Sequence, residues 1–434
     1  ACRANKLPYP AKGPRAMDSI KRCRTAEALS AYAAGRYSAA ETVCVRTLMD
    51  YPNDPDLLHL LGVARLAHGS ITAAIEALEA ACTRLSTETY VTVDTEFIRE
   101  STFWPELCLI QLGGSEQARA VDALADGIDL KPVFELMADT KVLKVFHAAR
   151  QDLEIFLHLA GELPRPIFDT QVAAMVCGFG DSVGYENLIT RLTNAKIDKG
   201  SRFTDWKLRP LSEKQLNYAL ADVTHLRPAY EILAGKLELS GRQSWVTAEM
   251  EILEDPKTYI VDPDDAYKRI KTRGAKGRQL AVLQAVAAWR EREAHSRNLP
   301  RNRVLRDEAL LEISHRMPKT VDDLAKTRGL GRRLAEGTSG DALLKAIRKG
   351  ADAPKSDWPT PPAKPDLPPW TAAAADLLKV LLKMKCADTD VATKLVASAA
   401  DVELIAAFGE KADVPAIKGW RRSVFGEDAL RLRR

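Results

Sequence analysis

Two carboxylates stand two positions apart at the end of an apolar, β-branched stretch. The stretch Tyr90–Asp94 has the composition of a buried strand, and it leads directly into Thr95 and Glu96. Because residues i and i+2 of a strand point to the same face, Asp94 and Glu96 can both reach one metal ion. A charge that follows an apolar strand needs a compensating partner, which favours a functional role for this pair.

Two later segments supply matching groups. Asp152 enters a predicted helix, from which its carboxylate can face the other acids. Tyr218 and Asp222 are separated by one helical turn, so they share a face. Ser212 and Gln215 fit a capping box that opens this second helix. The sequence therefore predicts one pocket with four carboxylates and a phenol.

Four clustered carboxylates repel one another strongly unless cations balance them. Mg²⁺ and Mn²⁺ are hard cations that take oxygen ligands. Two such ions, ~3.5–4 Å apart, activate a water and stabilise the leaving oxygen in displacement at phosphorus. Tyr218 would hold the attacking water. Each residue alone has an ordinary structural explanation, but the combination predicts a two-metal site that cleaves phosphodiesters.

The surrounding elements predict an α/β domain over residues 71–255. Strands are predicted at Tyr90–Asp94, Leu107–Leu112, Val121–Leu124 and Val142–Phe146. Helical periodicity appears at Gln151–Leu159 and at Asp169–Val176, where Asp169 and Thr170 suit a helix N-cap. Strands followed by helices around a mixed sheet indicate an α/β sandwich.

Composition limits the class of protein. A chain of 434 residues exceeds one ordinary core, so we expect two to four domains. No apolar run reaches the ~20 residues that span a bilayer, and the first residues lack a secretory apolar core. The seven cysteines are scattered and form no Cys-x-x-Cys pair, which favours a reducing cytoplasm over a zinc or disulfide framework.

Charge is divided unevenly along the chain. Residues 71–255 hold 18 Lys and Arg against 29 Asp and Glu, whereas residues 256–352 hold 22 against 13. An acidic segment suits a site that concentrates divalent cations. A basic segment suits contact with a polyanion, for which nucleic acid is the leading candidate, although an ordinary solvated face is the alternative.

The N-terminal part, after its first residues, is predicted to be helical. Residues 1–18 are predicted to form a flexible lead. Residues 19–70 carry two Gly-x-[Tyr/Ile]-x-x-Ala patterns, at Gly35 and Gly69, whose 34-residue spacing resembles a tetratricopeptide repeat. The second pattern can equally open the next domain. A single repeat buries its own face poorly, so this segment is a candidate docking site for a protein partner.

The C-terminal part is predicted to be all helical. Residues 275–352 contain several helices and a Gly-Leu-Gly turn flanked by arginines. Residues 353–369 are proline-rich and predict a stiff, extended linker. Residues 370–434 are helical again, and their turn around Lys418 and Gly419 echoes that of the preceding domain, which predicts a second, diverged copy.

These motifs resemble the ribonuclease D family, in the tyrosine branch of the DEDD 3′→5′ exonucleases. Asp94-Thr95-Glu96-Phe97 resembles the first motif, Asp152 matches the acid of the second, and Tyr218-x-x-x-Asp222 matches the third. Residues 275–352 resemble the helicase-and-RNase-D C-terminal (HRDC) domain, and 370–434 a weaker second copy. The implied fold is a ribonuclease H-like mixed sheet flanked by helices, with all-α HRDC domains behind it and a short helical segment before it.

The resemblance also implies roles. Asp94 would bridge two divalent cations, Glu96 and Asp222 would complete the nucleophile-side ion, and Asp152 would support the other. The implied reaction is stepwise hydrolysis from an RNA 3′ end that releases nucleoside 5′-monophosphates. Its implied use is 3′ maturation of tRNA precursors and other small structured RNAs in a bacterial cytoplasm.

Candidate RNA contacts are one aromatic residue and several arginines. A ring beside the first motif can stack on a terminal base, and arginines beside loops and turns can hold phosphates, although a core or solvated role is equally open. These candidates are Phe97, Arg202, Arg209, Arg301, Arg303, Arg332 and Arg333.

Two other functions remain open at this point. A 3′→5′ DNA exonuclease would use the same ligands, so the carboxylates do not separate it from a ribonuclease. An inert nucleic-acid-binding scaffold is the other alternative, but inert relatives usually lose an acid and none is missing here.

Overall fold

The computed structural model describes residues 15–52, 54–197, 200, 204–272, 274–360 and 366–433. Residues 1–14 of the predicted lead, part of the predicted linker, and Arg202 lie outside the described residues. Residues 15–18, also assigned to the lead, belong to the first helix. Across the described chain, no helix is both long and apolar enough to cross a lipid bilayer.

Two units divide the chain. The smaller contains the helices up to Thr87 together with residues 122–136, and the larger contains residues 88–121 and 137–434. The first three helices are α1 (Arg15–Ala33), α2 (Tyr37–Asp50) and α3 (Pro55–Leu85).

Packing of α1, α2 and α3 buries a small apolar cluster that includes Ala28, Cys44 and Leu57. Asp54 caps α3 by accepting a hydrogen bond from the Leu57 amide at 3.0 Å. Helix α3 then continues to Leu85, past residue 70, where the exonuclease segment was predicted to begin. A lone glycine such as Gly69 does not end a helix that has no proline to stop it, so the second repeat pattern lies within one continuous helix.

A five-stranded mixed sheet lies at the centre of the larger unit. Its strands are β1 (Tyr90–Ile98), β2 (Glu106–Gly113), β3 (Ala118–Asp122), β4 (Leu143–Phe146) and β5 (Ile167–Asp169). The spatial order is β3-β2-β1-β4-β5, with β1 antiparallel to β2 and parallel to β4, and β4 parallel to β5. The sheet therefore places β1, which carries the first acidic pair, in the middle.

Helices surround this sheet. They are α5 (Arg150–Ala160), α6 (Thr170–Val176), α7 (Tyr185–Thr193), α8 (Glu213–Ser240) and α9 (Gln243–Leu253), while α4 (Lys131–Ala138) follows β3 along the chain. Helix α8 packs closely on β1 and β2. The Thr92 hydroxyl donates to the Val223 carbonyl of α8 at 2.8 Å. A Cβ at Gly113 would meet the Thr92 hydroxyl oxygen at 2.3 Å, so only glycine permits this approach.

The remainder of the larger unit is helical. The first group is α10 (Arg278–Ser296), α11 (Arg301–Val304), α12 (Asp307–Arg316), α13 (Val321–Ala325), α14 (Arg332–Ala335) and α15 (Thr338–Asp352). The second group is α16 (Thr371–Asp388), α17 (Thr393–Val396), α18 (Ala399–Phe408), α19 (Gly419–Arg421) and α20 (Glu427–Arg433). Short 3-10 helices lie at Pro256–Thr258, Pro263–Arg269, Lys355–Asp357, Gly409–Lys411 and Pro415–Ile417, and a π-helical turn at Arg422–Gly426.

The two helical groups begin alike. Helices of 19, 4 and 10 residues open the first group, and helices of 18, 4 and 10 residues open the second. Each group encloses its own apolar core. This parallel agrees with the predicted duplication, which stays a prediction. The predicted fold class, an α/β domain with helical C-terminal domains, is confirmed.

Candidate active site

Strand β1 carries the first two carboxylates past the carboxyl end of the parallel strand β4. Its pairing with β4 ends at Thr92, so Asp94 and Glu96 lie beyond the carboxyl end of the neighbouring parallel strand. Ligands of open α/β sheets bind at this edge. Oxygens of Asp94, Glu96 and Asp222 all lie within 4.8 Å of one another. The structure therefore brings together three of the four predicted acids.

Helix α8 supplies Tyr218 and Asp222. The capping box predicted for its start is present, with the Ser212 hydroxyl accepting from the Gln215 amide. One turn apart, the Tyr218 hydroxyl and the Asp222 carboxylate are hydrogen-bonded. Burial raises the pKa of Tyr218 well above its usual range, and the nearby charges of Asp222 and Glu96 raise it further. Tyr218 is therefore a neutral phenol that retains its proton at the site.

Asp152 lies outside the group of three acids whose oxygens are within 4.8 Å of one another. It lies in the first turn of α5 and is 7% exposed. Its carboxylate accepts a hydrogen bond from the Thr95 hydroxyl. Thr95 points away from the face that carries Asp94 and Glu96, because side chains alternate along a strand. Asp152 is nevertheless close to Asp94, whose charge raises the pKa of Asp152 after the larger effect of burial.

Burial and mutual repulsion govern the electrostatics of these acids. Burial raises the pKa of Asp94 well above its usual range, and the charge of Asp222 raises it further. Placing several carboxylates together away from water is unfavourable unless cations compensate them. The donors are carboxylate oxygens, which Mg²⁺ and Mn²⁺ prefer, so the residues fit the metals that the sequence predicted.

The acids open into a cleft of about 400 Å³. Tyr185, at the start of α7, lines it and donates a hydrogen bond to the Asp222 main-chain carbonyl. Its ring meets the His147 imidazole edge-on at 5.4 Å, and the His147 Nδ1 is 3.0 Å from the Thr170 hydroxyl. Sequence reasoning missed Tyr185 and Thr95. No local pattern marks either residue, because both reach the site through tertiary packing.

The candidate RNA contacts near the exonuclease site have different surroundings. Phe97 is half-buried and follows a β-bulge between Glu96 and Phe97. Arg209 donates to the main-chain carbonyls of Trp206, at 2.6 Å, and Cys108, at 3.0 Å. Arg209 therefore joins its loop to strand β2. Contact of either residue with RNA stays a prediction.

The candidate arginines of the basic domain differ in exposure and in their partners. Arg303, Arg332 and Arg333 are exposed, and Arg332 pairs with Glu336 at 2.6 Å. Arg301 instead donates to the Glu291 carboxylate at 2.6 Å and stacks over the Phe103 ring at 4.6 Å. Their contacts with RNA also stay predictions.

A second cleft, which we name the arginine cleft, lies between α5 and α10 and has a volume of about 630 Å³. It is lined by Arg99, Trp104, Arg150, Tyr259, Arg292 and Arg301, among others. Arg99 forms two hydrogen bonds, of 2.6 and 2.8 Å, with the Glu154 carboxylate. Trp104 stacks on His158 with ring centroids 4.2 Å apart. The cleft is thus basic and aromatic, but three of its arginines, Arg99, Arg292 and Arg301, are already paired with carboxylates.

Comparison with known proteins matches two segments of the chain to family models. A family model described as a 3′–5′ exonuclease matches residues 70–238, and the HRDC domain model matches residues 279–347. The exonuclease match spans all five predicted active-site residues, and the second match falls within the predicted HRDC domain.

Relatives resemble most of the chain. Ribonuclease D of Granulibacter bethesdensis is 50% identical over 376 residues, which cover 85% of this chain and 94% of the relative. Ribonuclease D of Gluconacetobacter diazotrophicus is 51% identical over 350 residues, covering 81% and 89%. The crystal structure of Escherichia coli RNase D superimposes with a TM-score of 0.72 and 31% identity, covering 82% of this chain and 96% of that one. These similarities, together with the fold and the acidic site, show that the chain belongs to the ribonuclease D family and is a 3′–5′ exoribonuclease.

Proposed function

We propose that this exoribonuclease trims the 3′ ends of tRNA precursors and other small structured RNAs in the cytoplasm. Each step would hydrolyse the last phosphodiester bond and release a nucleoside 5′-monophosphate. The observation that carries the proposal is the convergence of Asp94, Glu96 and Asp222 beside Tyr218 in one cleft. The substrate class is supported by Escherichia coli RNase D, which is described as an exoribonuclease involved in structured RNA processing.

The metal cofactor follows from the donor set. Asp94, Glu96, Asp152 and Asp222 would hold two divalent cations, Mg²⁺ or Mn²⁺, with Asp94 serving both. When bound, the two ions would lower the pKa of the attacking water and neutralise charge that develops on the scissile phosphate and its leaving oxygen. The hydrogen bond from Thr95 would fix the orientation of Asp152 for this purpose.

Tyr218 would orient the attacking water. Its phenol retains its proton because burial and neighbouring carboxylates raise its pKa. Its hydrogen bond with Asp222 fixes the ring beside the acidic cluster, from which the hydroxyl can hold a water in line with the scissile bond. Tyr185 would support this arrangement because it donates to the main chain of the same helix turn at Asp222.

The remaining parts of the chain would bind substrate or partners. Phe97 would stack on the terminal base. Residues 275–352 would grip the RNA backbone through exposed arginines, with 370–434 as a second HRDC-like copy. We further propose that the exonuclease domain spans residues 71–255 and that the helices of residues 19–70 offer a docking site for a protein partner.

A time course on a 3′-extended tRNA tests the proposal. With Mg²⁺, the wild type should shorten the RNA stepwise from its 3′ end and release only nucleoside 5′-monophosphates. EDTA should stop the reaction, and a DNA strand of matched sequence should be degraded much more slowly. Activity that survives chelation would refute the metal site, and preference for DNA would refute the substrate class.

A further inference from the structure

Gln111 lies directly across the sheet from Asp94. In the antiparallel pair of β1 and β2, Asp94 is opposite Gln111 and Glu96 is opposite Leu109. Directly opposed residues project to the same face, with Cβ atoms ~4.5–5.5 Å apart. The side chain of Gln111 therefore belongs to the face that carries the acidic pair. Gly113, two residues further on, also faces α8, because a Cβ there would lie 3.2 Å from the Val223 side chain.

The Gln111 side chain is buried without a hydrogen-bond partner. The residue is 0% exposed, and neither its Oε1 nor its Nε2 forms a hydrogen bond. Its neighbours on β2, including Leu109, Ile110 and Leu112, are buried and apolar. A leucine at position 111 would suit this strand better, because an unpaired buried amide destabilises a fold. The glutamine therefore requires an explanation other than packing.

The other acids of the site show what such a residue can do. Asp152 receives a hydrogen bond from the Thr95 hydroxyl, and Asp222 is hydrogen-bonded to the Tyr218 hydroxyl. Carboxylates only accept hydrogen bonds when ionised, so each acid needs a donor to fix its orientation. Metal ligands are generally held by such outer partners. The Asp94 carboxylate accepts a hydrogen bond from the Thr95 main-chain amide, and the carboxamide of Gln111 offers two further N–H donors on the same face.

We propose that Gln111 is the positioning residue for Asp94. Its Nε2 donates to the Asp94 carboxylate when that carboxylate turns toward bound cations, so the amide gains its partner only in the metal-loaded site. This inference rests on the proposed metal site. It assigns Gln111 no contact with substrate, and it explains why a polar side chain occupies an apolar strand position.

The test combines a stability measurement with a metal-affinity measurement on the full-length protein. Gln111→Leu removes the amide and nearly preserves volume. In EDTA its melting temperature should equal or exceed that of the wild type, because an unpaired buried amide is lost. Its affinity for Mn²⁺, measured by electron paramagnetic resonance, should fall by about 10–100-fold. Raising the Mg²⁺ concentration should restore most of its kcat.

Ile110→Val is the matched control, because Ile110 is buried on the opposite face of the same strand. It should lower the melting temperature and leave Mn²⁺ affinity unchanged. Should Gln111→Leu not fold, Gln111→Met provides the same comparison. Wild-type Mn²⁺ affinity in a folded variant would overturn the inference and leave Gln111 a structural residue. A wild type that binds no Mn²⁺ would instead overturn the proposed metal site itself.

Discussion

The active-site cleft and the arginine cleft differ in how their charged side chains are compensated. In the active-site cleft, carboxylates lie together, and burial followed by the charge of Asp222 raises the pKa of Asp94. In the arginine cleft, Arg99 and Arg301 are neutralised by Glu154 and Glu291 within the protein. The first arrangement is unfavourable until a cation binds, whereas these two arginines of the second cleft already have partners within the protein. Uncompensated charge therefore marks the catalytic site more clearly than an abundance of charge does.

The largest effect should come from the acid at the centre of the active-site cleft. Asp94→Asn keeps the shape of the side chain but removes the charge that would serve both cations. Exonuclease activity on RNA should fall by at least ~10³-fold, while the dissociation constant for RNA, measured in EDTA, should change little. Activity within tenfold of the wild type would show that charge concentration in this cleft does not drive catalysis.

Tyr218→Phe should have the next largest effect. The substitution preserves the ring but removes the hydroxyl that would orient water, so kcat should fall by ~10²-fold with little change in RNA affinity or Mn²⁺ affinity. Tyr259→Phe is a matched control, because Tyr259 lines the arginine cleft instead. Equal losses in both variants would contradict the distinction between the two clefts.

In the arginine cleft the expected effect is on stability. Arg301→Ala would leave the Glu291 carboxylate, whose side chain is 6% exposed, without its bidentate partner. The free energy of unfolding should fall by about 1–3 kcal/mol, seen as a lower melting temperature. The double variant Arg301→Met with Glu291→Met should recover most of the loss, because apolar replacement of a buried pair is tolerated. If Arg301→Ala is as stable as the wild type, the Arg301–Glu291 pair does not stabilise the fold, and this part of the comparison is wrong.

Smaller effects are expected for the exposed arginines of the basic domain. Alanine at Arg303 and Arg333 together should weaken RNA binding several-fold and flatten its salt dependence by about one unit of slope per lost phosphate contact. Arg316→Ala is the control, since Arg316 already pairs with Glu312 at 2.9 Å. If RNA affinity is unchanged at every salt concentration, these arginines do not contact RNA.

The smallest effect concerns pH. The pKa of Asp94 in the metal-free protein is raised above its unfolded value, so its contribution to stability is present below about pH 4 and is lost as pH rises through the folded pKa. In EDTA, Asp94→Asn should therefore melt at a higher temperature than the wild type, and by a wider margin at pH 8 than at pH 5. A margin that does not depend on pH would contradict the buried, repelled state of this acid.

Two pairs of active-site residues could be predicted because each depends on the repeat of a single strand or helix. Strand alternation relates Asp94 to Glu96, and one helical turn relates Tyr218 to Asp222. The capping box at Ser212 was also local and is present. Local patterns did not predict the surroundings of Asp152, whose carboxylate accepts a hydrogen bond from Thr95.

Other features were missed for physical reasons. Strand β5 has only three residues, too few to show alternation. Helix α7 begins at Tyr185, and the residue before it, Gly184, has no side chain to cap it, so no sequence signal predicted this helix or the role of Tyr185. Gln111 was read simply as part of a strand, since its significance depends on the register with β1.

The most direct test of the central claim is anomalous diffraction from wild-type crystals soaked in Mn²⁺ with a nucleoside 5′-monophosphate. We expect two manganese peaks ~3.5–4 Å apart, both contacted by Asp94, with Glu96 and Asp222 on one and Asp152 supporting the other. Carboxylates that remain gathered without ions, or ions bound elsewhere on the protein, would contradict the account.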